Sequence, residues 1–239
     1  MSGAIVRKMR VKKAPDTGRR LRVLISSGPT REPIDPVRFL SNYSTGYMGS
    51  LLAVQALKRG HRVTVVSGPS VEPLPAEART IQVEQANEMA DALRRESPRA
   101  DVVIMAAAVS DFQPRHRLLR KLPRHGQATL RLRRTPDLIA RLPRSSRQVR
   151  VGFAVESGAM TRRARRKLEA KRLDLLVAQR IQHGHGGMGG SPFGRHPVEA
   201  WLVTPARTTR LGLVQKPHLA RALLDKAEAL WYGQPRLQR

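Results

Sequence analysis

The 239-residue sequence contains no cysteine, which excludes disulfides, thiolate metal sites and catalysis by a protein thiol. Aromatic residues are scarce, with two Trp, three Tyr and four Phe, and none alternates with the arginine groups as single-strand nucleic-acid binders require. The longest apolar run, 102–109, is far too short to cross a bilayer. The absences favour a protein without a membrane span whose chemistry rests on oxygen and nitrogen groups.

Two common phosphate-binding signatures are also missing. No G-x-G-x-x-G follows the first predicted strand, and G-x-x-x-x-G-K-[ST] occurs nowhere, so neither a standard dinucleotide site nor a Walker-type loop is supported. His183 and His185 lie two residues apart in a glycine-rich loop. Without a nearby cysteine or carboxylate they make a poor metal site, and the metal ligands stay unassigned.

Acidic residues are few, with 18 Asp and Glu against 45 Lys and Arg, and the formal net charge is +27. Such a balance suits a nucleic-acid binder, which gains affinity by displacing counterions from phosphates. The basic residues are mostly arginines spread along the chain in short groups, and an arginine-rich genome composition would also explain them. We therefore keep nucleic-acid binding as an alternative and do not expect nucleic acid as a partner.

The first 20 residues are basic and lack the apolar core of a secretion signal. We expect residues 1–20 to form a flexible arm and residues 21–232 to form one folded domain. The absence of a signal and of a membrane span predicts a soluble, cytoplasmic protein.

Strand-like and helix-like segments alternate along the chain, a pattern typical of an α/β protein with a mostly parallel sheet. We expect a single three-layer, Rossmann-like domain with a small hairpin or arm extension. The predicted sheet strands are Leu21–Ser26, His61–Ser67, Asp101–Val109, Val149–Val155 and Leu173–Ala178. The predicted helices are Met48–Arg59, Gln85–Arg95, Ala159–Arg172 and Lys216–Leu230, with a short one at Asp137–Leu142 capped by Thr135; the predicted hairpin arms are Ala128–Arg133, Glu199–Thr204 and Thr208–Val214.

The stretch from Leu21 to Gly49 predicts an anion site, because a buried strand is followed by a glycine-bearing loop and the start of a helix. Backbone N–H groups of such a loop and helix start point at a phosphate, and the helix dipole favours its negative charge. The candidate phosphate-binding residues are Gly28, Ser44, Thr45 and Gly46. Ligands of open parallel sheets bind at the carboxyl ends of the strands, which makes the loops at 27–50, 67–77, 108–127 and 179–197 candidates.

Six ordered sequence blocks carry a resemblance to one family. They read GPTREPIDPVRFLSN at 28–42, VTVVSGPSVEPLP at 63–75, DVVIMAAAVSDFQP at 101–114, TPDLIARL at 135–142, VGFAVES at 151–157 and KLEAKRLDLLVAQ at 167–179. Together they resemble phosphopantothenoylcysteine synthetase, the ligase domain of coenzyme A biosynthesis, over about residues 20–230.

The resemblance implies an amide ligase. In that family a nucleotide, CTP in most bacterial members, activates the carboxylate of 4′-phosphopantothenate as an acyl-nucleotidylate with loss of pyrophosphate, and cysteine then releases CMP. Mg²⁺ is expected to screen the two polyanions.

The resemblance also carries roles onto particular positions. Asn42 matches the residue that holds the acyl intermediate, and Arg38 matches a substrate-binding arginine. Nucleotide contacts fall on Ala107, Ala108, Asp111 and Phe153. Each has a plainer reading: Asn42 as a turn or cap residue, Arg38 as a solvated side chain, Asp111 as a loop cap, Phe153 as core and the alanines as close-packing residues.

Four departures from the family pattern bear on activity. The family's lysine-rich segment, which supplies the catalytic lysine and phosphate contacts, reads RHRLLRKLPR at 115–124. Lys121 is its only lysine and the candidate for the catalytic role, and Arg117 and Arg120 are candidate phosphate contacts. Gln179 stands for an asparagine, Tyr47 for a lysine, and Arg195-His196 for Ser-Asp. The pattern is compatible with a divergent active ligase or with a relative that binds nucleotide or phosphopantothenate without ligating.

Family members work as dimers whose sites borrow residues across the interface, so the resemblance implies a homodimer in which the 115–124 segment reaches a neighbour's ligand. No flavin-dependent decarboxylase segment precedes Leu21 in this sequence. We therefore expect any decarboxylase partner to be a separate protein.

Overall fold

The structure, a computed structural model, describes residues 19–124, 126, 128–156, 160–180 and 193–234. The predicted N-terminal arm lies outside this part except for Arg19 and Arg20, as do His183 and His185. Its strands are β1 (Arg22–Ser27), β2 (Arg31–Pro33), β3 (Phe39–Ser41), β4 (Arg62–Ser67), β5 (Arg79–Gln82), β6 (Val102–Met105), β7 (Phe112–Pro114), β8 (Leu132–Arg134), β9 (Val149–Glu156), β10 (Leu175–Arg180), β11 (Val198–Val203) and β12 (Thr208–Val214). Its α-helices are α1 (Tyr47–Lys58), α2 (Ala86–Glu96), α3 (Met160–Ala170) and α4 (Lys216–Tyr232).

Eight strands form the central sheet in the order β12-β11-β10-β9-β6-β1-β4-β5. The six strands from β10 to β5 pair in parallel, whereas β11 and β12 add an antiparallel edge. The five predicted sheet strands are therefore consecutive neighbours, as expected. Strand order reverses between β1 and β6, because the chain winds outward from β1 in one direction and from β6 in the other.

Alternation along the strands distributes apolar side chains between the two faces of the sheet. Val23 and Ile25 on β1 pack on the face covered by α1 and α4. Leu24 lies on the opposite face with α2, and α3 covers the same face farther along, over β9 to β11. Burying one such side chain contributes about 1.5–3 kcal/mol. The predicted three-layer α/β arrangement is confirmed.

Two small hairpins project from the carboxyl ends of the parallel strands. The first pairs β2 with β3, and the second pairs β7 with β8. The predicted arm at Ala128–Arg133 corresponds to β8, whose partner β7 the sequence did not predict. Strands β2, β3 and β5 were also not predicted, since three or four residues are too short for a periodicity to be visible.

Two predicted elements differ from the structure. The strand predicted over Asp101–Val109 ends at Met105, because the N–H of Ala107 donates to the side-chain Oγ of Ser26 at 3.2 Å instead of to a strand carbonyl. Beyond this break an isolated parallel bridge still pairs Ala108 with Pro29. The helix predicted over Asp137–Leu142 is a single 3₁₀ turn, Ile139–Arg141. Thr135 does not cap it: the N–H of Ala140 donates to Oδ1 of Asp137 at 3.4 Å.

No helix in the described ranges has the length and the apolar character needed to cross a membrane.

The start of α1 packs closely on the end of β1 at Gly49. A Cβ at Gly49 would collide with the side chain of Ser27. Gly→Ala inside a helix normally stabilises by about 1 kcal/mol, whereas overpacking costs about 1–3 kcal/mol. We expect Gly49→Ala to lower the free energy of unfolding in urea. Lys58→Ala, on the exposed end of the same helix, should not lower it, and a stabilised Gly49→Ala variant would contradict this packing.

Candidate functional site

A cleft of about 710 Å³ lies at the carboxyl ends of β1, β6 and β9, where the strand order reverses. Its walls are the start of α1, the segment after β6, the segment after β8, two lysines at and just after the end of α3, and the turn that begins at Phe193. Three of the four predicted ligand loops contribute lining residues. The fourth, 67–77, lies behind α1 and supports it through Ser50 Oγ, which donates to the carbonyl of Pro73 at 2.6 Å.

The start of α1 forms the first wall. Gly46, at its N-cap, has a φ of 83°, and no side chain caps the helix or places an acid in its first turn. The preceding turn is fixed, because Ser70 Oγ donates to the carbonyl of Thr45 at 2.7 Å. The N–H of Tyr47 donates to Oγ1 of Thr45 at 3.3 Å. Met48 and Gly49 of the first turn and the hydroxyl residues Ser44 and Thr45 line the cleft, an arrangement suited to a phosphate.

Asn42 lies beside this wall and is tied to the end of β6. Its Nδ2 donates to the carbonyl of Ala108 at 2.9 Å. The Ala108 N–H in turn donates to Gly28, so the loops after β1 and β6 hold each other. The N-cap of α1 is Gly46, and the helix-cap interpretation of Asn42 is therefore wrong. The second hydrogen of the Asn42 amide remains available to a ligand oxygen.

Charged residues line the opposite wall. Asp137 pairs with Lys171, which directly follows α3, at 2.9 Å. Burial, and then the nearby charge of Lys171, lower the pKa of Lys167 against the opposing influence of Glu156, Asp111 and Asp137. Ion pairing thus keeps this wall close to charge balance.

A buried hydroxyl marks the same wall. Thr135 lines the cleft, and its Oγ1 is buried with no hydrogen-bond partner among the described residues. Its backbone N–H donates to the carbonyl of Asp111 at 2.9 Å, which fixes the loop after β8 against the loop after β6.

Lys216 enters the cleft from the first turn of α4 and is only 2% exposed. Its Nζ donates to the carbonyl of Gly194 at 2.6 Å. Burial lowers the pKa of Lys216 to about 8. The helix dipole disfavours a positive charge at the N-terminus of α4, and burial disfavours the charged form of the lysine further. A lysine at this position therefore lowers the free energy of unfolding.

The structure brings eight of the predicted site residues together. These are Asn42, Ser44, Thr45, Gly46, Ala107, Ala108, Asp111 and Phe153. Gly28 lies just behind them and accepts from Ala108. Gln179 and Tyr47, two of the departures from the family pattern, also line the cleft.

Arg38, Arg117, Arg120 and Lys121 do not line the cleft of their own chain. The last three are exposed on the segment after β7, which is anchored to the turn between β2 and β3. Asp35, only 2% exposed, anchors that segment.

Asp35 accepts the N–H of Leu122 at 3.1 Å and pairs with Arg38 at 2.8 Å. The Leu122 hydrogen bond is the main cause that lowers the pKa of Asp35 to about 2, and the N–H groups of Val37 and Arg38 add to it. Arg38 also donates to the Leu122 carbonyl at 2.7 Å. Arg38 thus positions the basic segment here.

Sequence reasoning missed several lining residues: Arg134, Thr135, Asp137, Lys167, Lys171 and Lys216. Lys216 carries a usable signal, since a lysine at the first position of a helix contradicts the usual preference for acids there. Lys167 and Lys171 carry no such signal, because they belong to a stretch around α3 in which nearly every second residue is basic. Among the described residues no group of three or more His, Asp or Glu side chains could hold a metal ion unaided.

The chain matches the model of the DNA/pantothenate metabolism flavoprotein C-terminal domain over residues 19–230. It is 36% identical over 213 residues to the coenzyme A biosynthesis bifunctional protein CoaBC of Vibrio vulnificus strain YJ016, covering 87% of this chain and 52% of the relative. It is 42% identical over 170 residues to the Bacillus subtilis strain 168 protein of that name, covering 70% and 42%.

The fold also matches the crystal structure of the C-terminal domain of a CoaBC protein with a TM-score of 0.75 and 31% identity. That match covers 90% of this chain and 97% of the other. The chain thus spans about half the length of the two curated relatives and nearly all of this solved domain. The chain belongs to the DNA/pantothenate metabolism flavoprotein C-terminal domain family.

Proposed function

We propose that this protein is a phosphopantothenate–cysteine ligase of coenzyme A biosynthesis that uses CTP. The observation that carries the proposal is the cleft at the strand-order reversal, where Asn42 lies between an uncapped helix start and the end of β6. The Vibrio vulnificus and Bacillus subtilis relatives are named as coenzyme A biosynthesis proteins, which supports the same pathway for this chain.

The reaction has two steps, and residues of the cleft can bind the phosphates in the first step and stabilise the oxyanion in the second. The phosphopantothenate carboxylate attacks the α-phosphorus of CTP, and pyrophosphate leaves. The start of α1 with Ser44 and Thr45 holds phosphate oxygens there. The cysteine amine then attacks the acyl carbon and CMP leaves, while the Asn42 amide donates to the oxyanion that forms at this carbon. Ala107, Ala108 and Phe153 pack against the nucleoside.

Mg²⁺ fits this arrangement, although the described residues offer no complete ligand set. The ion is usually held by one or two carboxylates together with substrate phosphates and water. Asp111 lines the cleft within the loop after β6 and would hold the ion, whereas Asp137 is engaged with Lys171. When bound, the ion would neutralise phosphate charge.

The surface of the two hairpins supports a homodimer. Large apolar side chains are exposed there at unusual density: Val37, Phe39, Tyr43, Phe112, Leu119 and Leu132 are between 45% and 89% exposed. A concentrated apolar surface marks a protein interface. The segment that bears Lys121 lies on this surface and outside its own cleft, which supports the proposal that it serves the partner's site.

Pyrophosphate release tests the function directly. With 4′-phosphopantothenate, cysteine and each nucleoside triphosphate in turn, we expect release with CTP and formation of the amide product. CTP-dependent thermal stabilisation without release would favour a binding relative that does not ligate. Steeply salt-dependent binding to unrelated duplexes, with no effect of CTP, would favour the nucleic-acid alternative.

Asn42→Asp should retain CTP binding but lower turnover by about 10²- to 10³-fold, because a carboxylate replaces the donor that meets the oxyanion. Asn87→Asp makes the same change on the exposed start of α2 and serves as the control. Turnover would be measured by pyrophosphate release and binding by calorimetry. Equal turnover in both variants would mean that Asn42 is only a turn residue.

Lys121→Gln should abolish ligation, whereas Arg117→Gln and Arg120→Gln should mainly raise the KM for CTP. A lysine ammonium acts as a mobile point charge on a developing anion, while arginine is better suited to clamping phosphates. Lys58→Gln, at the exposed end of α1, controls for loss of a positive charge. An active Lys121→Gln enzyme would remove Lys121 from the mechanism.

Mixing two inactive variants tests the shared site. If Lys121 acts across the interface, a mixture of Asn42→Asp and Lys121→Gln chains regains roughly a quarter of the wild-type sites, because half the dimers are mixed and one of their two sites is complete. If it acts within its own chain, the mixture stays inactive.

Leu119→Asp should give inactive monomers in analytical ultracentrifugation, whereas Leu213→Asp, at the sheet edge, should not.

A further inference from the structure

Two of the departures from the family pattern lie in contact with each other. Arg195, which replaces a serine, places its Cζ 4.7 Å from the ring centroid of Tyr47, which replaces a lysine. The Nη2 of Arg195 also lies 2.8 Å from Oε2 of Glu72, whose side chain is only 12% exposed. A guanidinium over an aromatic face is attractive at this distance. The two replacements therefore form one contact instead of two separate losses.

Glu72 is a fixed anchor for this contact. It belongs to the loop after β4, where Ser50 of α1 donates to the carbonyl of Pro73 and Ser70 donates to the carbonyl of Thr45. That loop is thus joined to the start of α1 on both sides. Arg195 binds the same rigid unit that presents the phosphate-binding turn.

The turn carrying Arg195 is held from a second side. Lys216 of α4 donates its Nζ to the carbonyl of Gly194 at 2.6 Å, and Gly194 has a φ of 71° that favours glycine. The turn therefore bridges from the start of α4 to the start of α1. Phe193 and Gly194 line the cleft between these two attachments.

We infer that Tyr47, Arg195 and Glu72 form a latch that positions the Phe193–Gly194 turn as a wall at the phosphate end of the cleft. The latch residues position the turn and do not take part in the chemistry. With the latch intact, the turn confines the triphosphate beside the start of α1. Without it, the turn loses its attachment to the start of α1 and the nucleotide is held less well.

The inference rests on the proposed function for its kinetic readout. Arg195→Ala should raise the KM for CTP about 3- to 10-fold with little change in kcat, the range expected from a partly exposed ion pair and one cation–π contact. Tyr47→Ala removes the ring contact but leaves the pair of Arg195 with Glu72, so it should raise the KM less, whereas Tyr47→Phe keeps the ring and should behave as wild type. The double variant should be no worse than Arg195→Ala, because Arg195→Ala already removes the contact with the ring.

Arg210→Ala is the matched control. Arg210 is 69% exposed and pairs with Glu199 at 2.9 Å, close to the 70% and 2.8 Å of Arg195. It also faces a ring, that of Trp201, at 5.9 Å, but it does not line the cleft. An equal KM in the Arg195→Ala and Arg210→Ala enzymes, or additive effects of Tyr47→Ala and Arg195→Ala, would overturn the latch.

Amide hydrogen exchange separates failure of the latch from failure of the proposed function. Arg195→Ala should speed exchange at residues 193–196, and Arg210→Ala should not. If the wild type releases no pyrophosphate, the ligase proposal fails, and the latch is then judged by this exchange and by calorimetric binding of CTP with Mg²⁺. Unchanged exchange in Arg195→Ala would overturn the latch whatever the enzyme does.

Discussion

The cleft depends on the parallel pairing of β1 with β6. The chain winds away from these two strands in opposite directions, so no crossover connection covers their carboxyl ends. Backbone bonds between the loops that follow them, from Ala108 to Gly28 and from Thr30 to Ala108, then fix the opening. Asn42 donates to the same carbonyl of Ala108, so the paired loops hold the candidate catalytic amide in place.

The basic composition affects the cleft less than its charge suggests. Several of the few acids hold arginines and lysines in ion pairs, as Asp137 holds Lys171 and Glu72 holds Arg195. Of the other lysines that line the cleft, Lys167 is half-buried and Lys216 is buried, and burial lowers the pKa of both. A ligand with several negative charges would offset that burial penalty, since its field favours the protonated amines.

The sequence predicted the sheet and its helices well, because each buried strand and amphipathic helix shows its own periodicity. It predicted the residues of the cleft where a block of neighbours forms one wall, as with Asn42 and Gly46. It missed Lys216 and Thr135, whose roles come from contacts with residues far away in the chain. The end of β6 was misplaced, because the apolar run continues past Met105 while the N–H of Ala107 donates to the side chain of Ser26 and interrupts the strand.

The departures from the family pattern therefore weigh differently once their surroundings are known. A missing lysine at position 47 and a missing acid near 195 suggest a damaged site when they are counted one by one. In the structure the tyrosine and the arginine contact each other and share Glu72. The sequence predicted a site lysine only in the 115–124 segment, but three other lysines line the cleft, at 167, 171 and 216. These substitutions keep the wall of the cleft in place and keep its positive charge. They therefore favour a divergent functional site over one that has lost its function.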